Sequence, residues 1–184
     1  LSEFAPSRRV PEYVGRPKAV QAEAAEVKAG KHREDLVRVM GSLGLPESTL
    51  DECSIGSAIF ACRPGAGSAR EQAASCQRVL GGGANIAYSY ATKRYRSNCI
   101  NWGILPFTVD QLETFPFDPD DTLFVPNIRE AVETGAQTVT GHMVRTDGTV
   151  APITLHLPDM TADERQIILE GCLMNYYAAG YGKD

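Results

Sequence analysis

The sequence is poor in the features that would make it a membrane protein, a disulfide scaffold or a self-contained metalloprotein. No apolar run approaches the roughly 20 residues that a bilayer-spanning helix needs. The opening residues Leu1-Ser2-Glu3-Phe4-Ala5-Pro6 lack the basic-then-apolar pattern of a secretory signal, and there is no initiator methionine. The reading therefore expects a cytoplasmic fragment of a larger protein. Cysteines are few and scattered: Cys53, Cys62, Cys76, Cys99 and Cys172 are odd in number, and no two stand at C-x-x-C spacing. That speaks against a disulfide framework and against a zinc or iron–sulfur site built by this chain alone, and for buried, reduced thiols. A basic surplus is also missing. With 18 Lys and Arg against 23 Asp and Glu the net charge is −5, the opposite of a general nucleic-acid binder. Basic residues do gather locally, at Arg8 and Arg9 and at Lys93, Arg94 and Arg96, which leaves room for a pocket that takes an anion.

What is present fits one domain. The chain has 184 residues, 43% apolar and 22% charged, enough to bury a core unaided. Residues 1–50 read as an N-terminal arm followed by helices, with Gly30 breaking the helical stretch and Gly44-Leu45-Pro46 ending it. Residues 51–184 read as one α/β unit. Strand-length apolar runs around 54–62, 84–88 and 104–109 alternate with helical patterns over 69–80 and 92–102. This alternation calls for parallel strands joined by crossover helices. Further on, Arg145-Thr146-Asp147-Gly148 separates two β-rich runs, 138–144 and 149–157, and Asp-Gly there signals a hairpin. His142 and His156 fall on those two runs, where they could face each other across the hairpin, but they read first as strand surface residues and not as ligands. Thr161-Ala162-Asp163-Glu164 opens a closing helix with a capping box.

The segment with most chemical content is Gly65-Ala66-Gly67-Ser68-Ala69-Arg70-Glu71-Gln72, which follows a strand and opens a helix. Glycines permit a tight turn and a close ligand approach, and helix-start amides favour an anion. Ser68 and Glu71 fit an S-x-x-E capping box, the plain structural explanation. Arg70 does not fit it: a cation in the first turn opposes the helix dipole and makes better sense gripping a carboxylate with two parallel hydrogen bonds. A dinucleotide fingerprint would need glycine at position 70, and a P-loop would need Gly-Lys-Ser/Thr, so neither nucleotide motif is present. Lys93, Arg94 and Arg96 follow the second strand, where they either line the same pocket or form a solvated helix face. Trp102 reads as a packing residue, and Asp118-Pro119-Asp120-Asp121 as a loop without EF-hand spacing.

Gly67-Ser68-Ala69-Arg70-Glu71-Gln72-Ala73 resembles the Gly-Ser-Ser-Arg-Glu-His-Ala motif of the aconitase superfamily. Further blocks follow in order: Ile86-Ala87-Tyr88-Ser89-Tyr90-Ala91, then Asn98 with Gly103-Ile104-Leu105-Pro106, then Gly171-Cys172-Leu173-Met174-Asn175. The resemblance spans about residues 54–178. It implies a swivelling β/β/α domain of the aconitase C-terminal type, which closes over a [4Fe–4S] cluster bound by other domains or a separate large subunit. It also implies a hydro-lyase or isomerase reaction on a hydroxy di- or tricarboxylic acid. By the same resemblance Ser68 takes the place of the proton-abstracting base and Arg70 that of a carboxylate-binding arginine. Gly67, Ala69 and Ser89 would line the substrate, and Arg8 is the candidate for a second substrate arginine. The isolated domain is expected to be inactive. Ala69 replaces the motif's second serine and Gln72 its histidine, so a relative that binds anions or regulates through RNA without catalysis is the alternative.

Overall fold

The computed structural model describes residues 14–111 and 118–182. Two helices lead, α1 (Gly15–Lys28) and α2 (Glu34–Ser42). Gly44, in the left-handed region at φ 69°, ends α2, and the Leu45 amide returns to Met40 O at 2.9 Å, the bond that closes a Schellman turn. Leu36, Val39 and Met40 recur at helical spacing on α2 and are buried with Leu50 and Val144. Helix α2 thus shares a core with the strand that ends at Val144.

Six strands form one mixed sheet in the order β1-β2-β3-β6-β5-β4. These are β1 (Ser57–Ala61), β2 (Gly82–Ala87), β3 (Leu105–Thr108), β4 (Thr122–Phe124), β5 (Thr138–Val144) and β6 (Val150–His156). The first three are parallel, with Phe60 opposite Ile86 and Ile86 opposite Phe107. They are joined by α3 (Arg70–Val79) and α4 (Lys93–Asn101), as the alternation of patterns requires. The other three are antiparallel and meet the parallel half where Thr108 pairs with His156. The expected α/β class is what the chain adopts.

The Asp-Gly signal marks a real hairpin. Gly148 has φ 85°, and the Arg145 amide reaches Thr149 O at 2.9 Å. It is not an appendage, because both of its strands belong to the main sheet. Its register also decides between the two readings of the histidines. His142 lies opposite Pro152 and His156 opposite Thr138, so the two rings do not face each other. β4 and the helix after it, α5 (Ile128–Thr134), carried too short an apolar pattern to be read from sequence.

The closing helix begins as expected. Thr161 and Glu164 exchange both capping-box bonds at the start of α6 (Ala162–Glu170). Gly171 at φ 90° then breaks it, and α7 (Leu173–Ala178) follows. The main core runs between sheet and helices, with Ile86, Ile100, Phe107, Val132, Leu155 and Ile167 at its centre.

Candidate functional site

The parallel strands β1 and β2 deliver their following loops to one edge of the sheet. In open α/β sheets this carboxyl end of the strands is where ligands bind. Three hydrogen bonds carry the pairing past the strand ends. Ser89 N donates to Cys62 O at 3.3 Å, Ala91 N to Pro64 O at 2.9 Å, and the Thr92 hydroxyl to Gly65 O at 3.3 Å. Thr92 also caps α4, accepting from Tyr95 N at 3.3 Å. The turn that holds Ser68 and the loop that holds Ser89 are therefore one stitched unit.

The two turn glycines have different reasons. Gly65 sits at φ 93°, and a β-carbon there would lie 2.5 Å from that of Tyr95. Packing and backbone conformation both demand glycine. Gly67 has open space where a side chain would stand, so the fold itself does not demand it.

Gly67, Ser68 and Ala69 are exposed, Arg70 is half-buried and Ser89 is exposed. The capping box expected of Ser68 and Glu71 is not formed. The cap position of α3 falls on Ala69, at φ −85° and ψ 49°, and no side chain of that residue caps the helix. The Glu71 carboxylate instead accepts from Trp102 Nε1 at 2.5 Å, so Trp102 is more than a packing residue. Arg70 donates from Nε to Gly65 O at 3.1 Å. Among the described residues its two terminal nitrogens have no partner. Arg8 lies outside the described residues.

Behind the turn is a polar cluster that sequence reasoning passed over. Asn85, only 2% exposed, donates from Nδ2 to Tyr95 OH and to Cys99 Sγ, each at 3.2 Å. Tyr90 OH donates to Phe107 O at 3.2 Å. Burial pushes the Cys99 thiol up to about 11, against the pull of Asn85 and Tyr95, and burial raises the Tyr90 phenol too. Both stay protonated at neutral pH, so the cluster is neutral and serves as support. An Asn in the middle of an apolar strand run was the signal available for it.

The remaining basic residues divide. Lys93 and Arg94 are exposed at the start of α4, whereas Arg96 lies 4.0 Å from Glu164. Of the histidines, His32 stands between Glu47 and Asp51, and His156 lies 3.3 Å from Asp110. Among the described residues no three His, Cys, Asp or Glu side chains converge as a metal site needs. The five thiols are all free. This chain's described residues do not make a cradle for a [4Fe–4S] cluster. No helix among them is long and apolar enough to cross a membrane.

Residues 58–112 match the family model of the aconitase C-terminal domain. The match runs from β1 past β3 and includes Ser68, Arg70, Ser89 and Asn98. The matched segment is the parallel half of the sheet and lies within the span that the motifs suggested. A comparison with curated proteins returns no match. Among solved structures, the 3-isopropylmalate dehydratase of Methanocaldococcus jannaschii is similar, with 24% identity and a TM-score of 0.46. The alignment covers 81% of this chain and 79% of that one.

Proposed function

We propose that this chain supplies the substrate-facing domain of an aconitase-type hydro-lyase that removes water from a hydroxy di- or tricarboxylate and adds it back. Ser68 is the base and Arg70 holds a carboxylate. One observation carries the reading: inside the segment that matches the aconitase C-terminal domain, the Ser68 hydroxyl and the terminal nitrogens of Arg70 stand at the start of α3 without a partner among the described residues. Ser68 does not cap the helix. Arg70 is anchored through Nε, which leaves its terminal nitrogens for the paired hydrogen bonds that suit a carboxylate.

The physical demands of the reaction explain the exposure of the site. A serine hydroxyl becomes a base only if its alkoxide is stabilised by nearby amides and cations with water excluded. Ser68 is exposed in this chain, so a second surface must cover it. In this reading that surface belongs to N-terminal domains or to a large subunit, which also carries the [4Fe–4S] cluster. Closure would then exclude water and complete the catalytic set together. Gly67 and Ala69 leave the turn open to substrate, and Ser89 sits beside it on the stitched loop. Lys93 and Arg94 add positive potential near the helix start, and Arg8 remains the candidate for a second carboxylate. Soluble, cytoplasmic action fits these roles.

The test is anaerobic hydratase activity of the complete, cluster-reconstituted protein on a panel of hydroxy di- and tricarboxylates. Ser68→Ala is expected to lower kcat by about 10²–10⁴-fold with little change in KM. Arg70→Lys is expected to raise KM, because a single ammonium cannot replace the planar fork. Near-normal turnover in Ser68→Ala would overturn the assignment of the base. Citrate binding without turnover in the loaded wild type would favour the anion-binding alternative that Ala69 and Gln72 suggest.

A further inference from the structure

Helix α3 begins without a cap of its own. The first amides of a helix have no intrahelical acceptor, and Ala69 offers no side-chain oxygen where Ser, Thr, Asp or Asn usually stands. The acceptor comes from the neighbouring helix. With the Asn98 amide oriented to satisfy both of its ends, its oxygen accepts from Glu71 N at 2.9 Å and its nitrogen donates to Arg94 O at 3.1 Å. One turn further along α4, Trp102 Nε1 takes the Glu71 carboxylate at 2.5 Å. Residue 71 is therefore held twice from α4, by its backbone and by its side chain, directly after Arg70.

We infer that Asn98 and Trp102 are positioning residues for the Ser68–Arg70 turn: Asn98 fixes the first turn of α3, and Trp102 holds the Glu71 carboxylate away from the anion that Arg70 receives. The inference rests on the hydro-lyase reading of that turn. Its logic is electrostatic as well as geometric. A free Glu71 beside Arg70 would compete with a substrate carboxylate for the guanidinium. Held on the indole N–H, it does not. A catalytic turn must be fixed to within a fraction of an ångström by the residues behind it. Beyond the bonds that stitch Pro64 and Gly65 to the loop after β2, the anchors of this turn among the described residues are Gly65 O on Arg70 Nε and these two bonds from α4. Loss of Asn98 should leave the fold intact, because α3 and α4 remain docked through Ala74, Tyr95, Cys99 and Ile104.

The experiment uses the complete, cluster-reconstituted protein with Asn98→Leu, Asn98→Asp, Trp102→Phe and, as references, Ser68→Ala and Arg70→Lys. The readouts are hydrogen exchange at the start of α3 by mass spectrometry, and kcat and KM on the carboxylate panel. Asn98→Leu is expected to lose exchange protection over residues 70–73 and to raise KM at least tenfold. Asn98→Asp keeps the acceptor and is expected to restore protection and bring KM to within threefold of wild type. Trp102→Phe is expected to raise KM with the exchange unchanged. A purely structural defect would lower the active fraction, and hence apparent kcat, without moving KM. Unchanged KM in Asn98→Leu, while Ser68→Ala and Arg70→Lys are impaired, overturns the positioning role alone. Normal kinetics in the two reference variants, or no turnover by the wild type, overturns the hydro-lyase reading and the inference with it.

Discussion

Single residues in this chain separate into those the fold uses and those it leaves open. Gly65 is fixed by Tyr95 and by its positive φ, whereas among the described residues Gly67, Ser68 and the end of Arg70 are not engaged. The cysteines divide in the same way. Cys99 is fully buried under the turn and bonded by Asn85, while Cys62 is exposed at the end of β1. Thiolate is the reactive form, and burial keeps Cys99 protonated with its value up at about 11. In the native state Cys62 is therefore expected to react with a thiol reagent such as iodoacetamide at pH 8, and Cys99 only after unfolding, as peptide mapping would show. The same shift has a consequence for stability. A thiol with a raised folded value holds its proton more tightly when folded, so its contribution is complete below about 9, the ordinary thiol value, and is lost as pH rises towards 11. Urea titrations between pH 8 and 11 should show that fall, and Cys99→Ala should flatten it.

Elements begin and end where local chemistry says, with one instructive exception. The capping box of α6 was legible because Thr161 and Glu164 need only each other. Thr161→Ala is expected to cost about 1 kcal/mol, seen as a lower urea midpoint with an unchanged slope. The stop of α4 was also legible. Gly103 has φ 64°, and Ile104 N returns to Cys99 O at 2.9 Å, the Schellman arrangement. Tertiary structure adds a second demand, since a β-carbon on Gly103 would overlap Gly171 O. The exception is α3. Ser68-x-x-Glu71 has the spacing of a capping box, but the helix starts one residue later and takes its cap from Asn98 on another helix. A pattern within four residues cannot reveal an acceptor that lies 27 positions away.

At the scale of the molecule, a parallel half that carries the candidate turn is joined to an antiparallel half that braces it. Leu155 lies fully buried on β6, next to the seam where Thr108 meets His156. Leu155→Ala removes packing from both halves and is expected to cost about 2–5 kcal/mol, measured by urea unfolding of the chain. The alternation of strand and helix patterns from residue 54 to 109 determined the parallel half, because period-2 and period-3.6 burial are written in neighbouring residues. The Asp-Gly turn determined the hairpin for the same reason. The motif around Ser68 was equally legible, down to the odd placement of Arg70 in a helix start. Only the tertiary structure decided that the hairpin enters the main sheet, that β4 closes its far edge, that His142 and His156 stand apart, and that Asn98 and Trp102 hold Glu71. Each of these depends on contacts between residues distant in the chain, whose register and reach are set by the packing of whole elements and not by any local pattern.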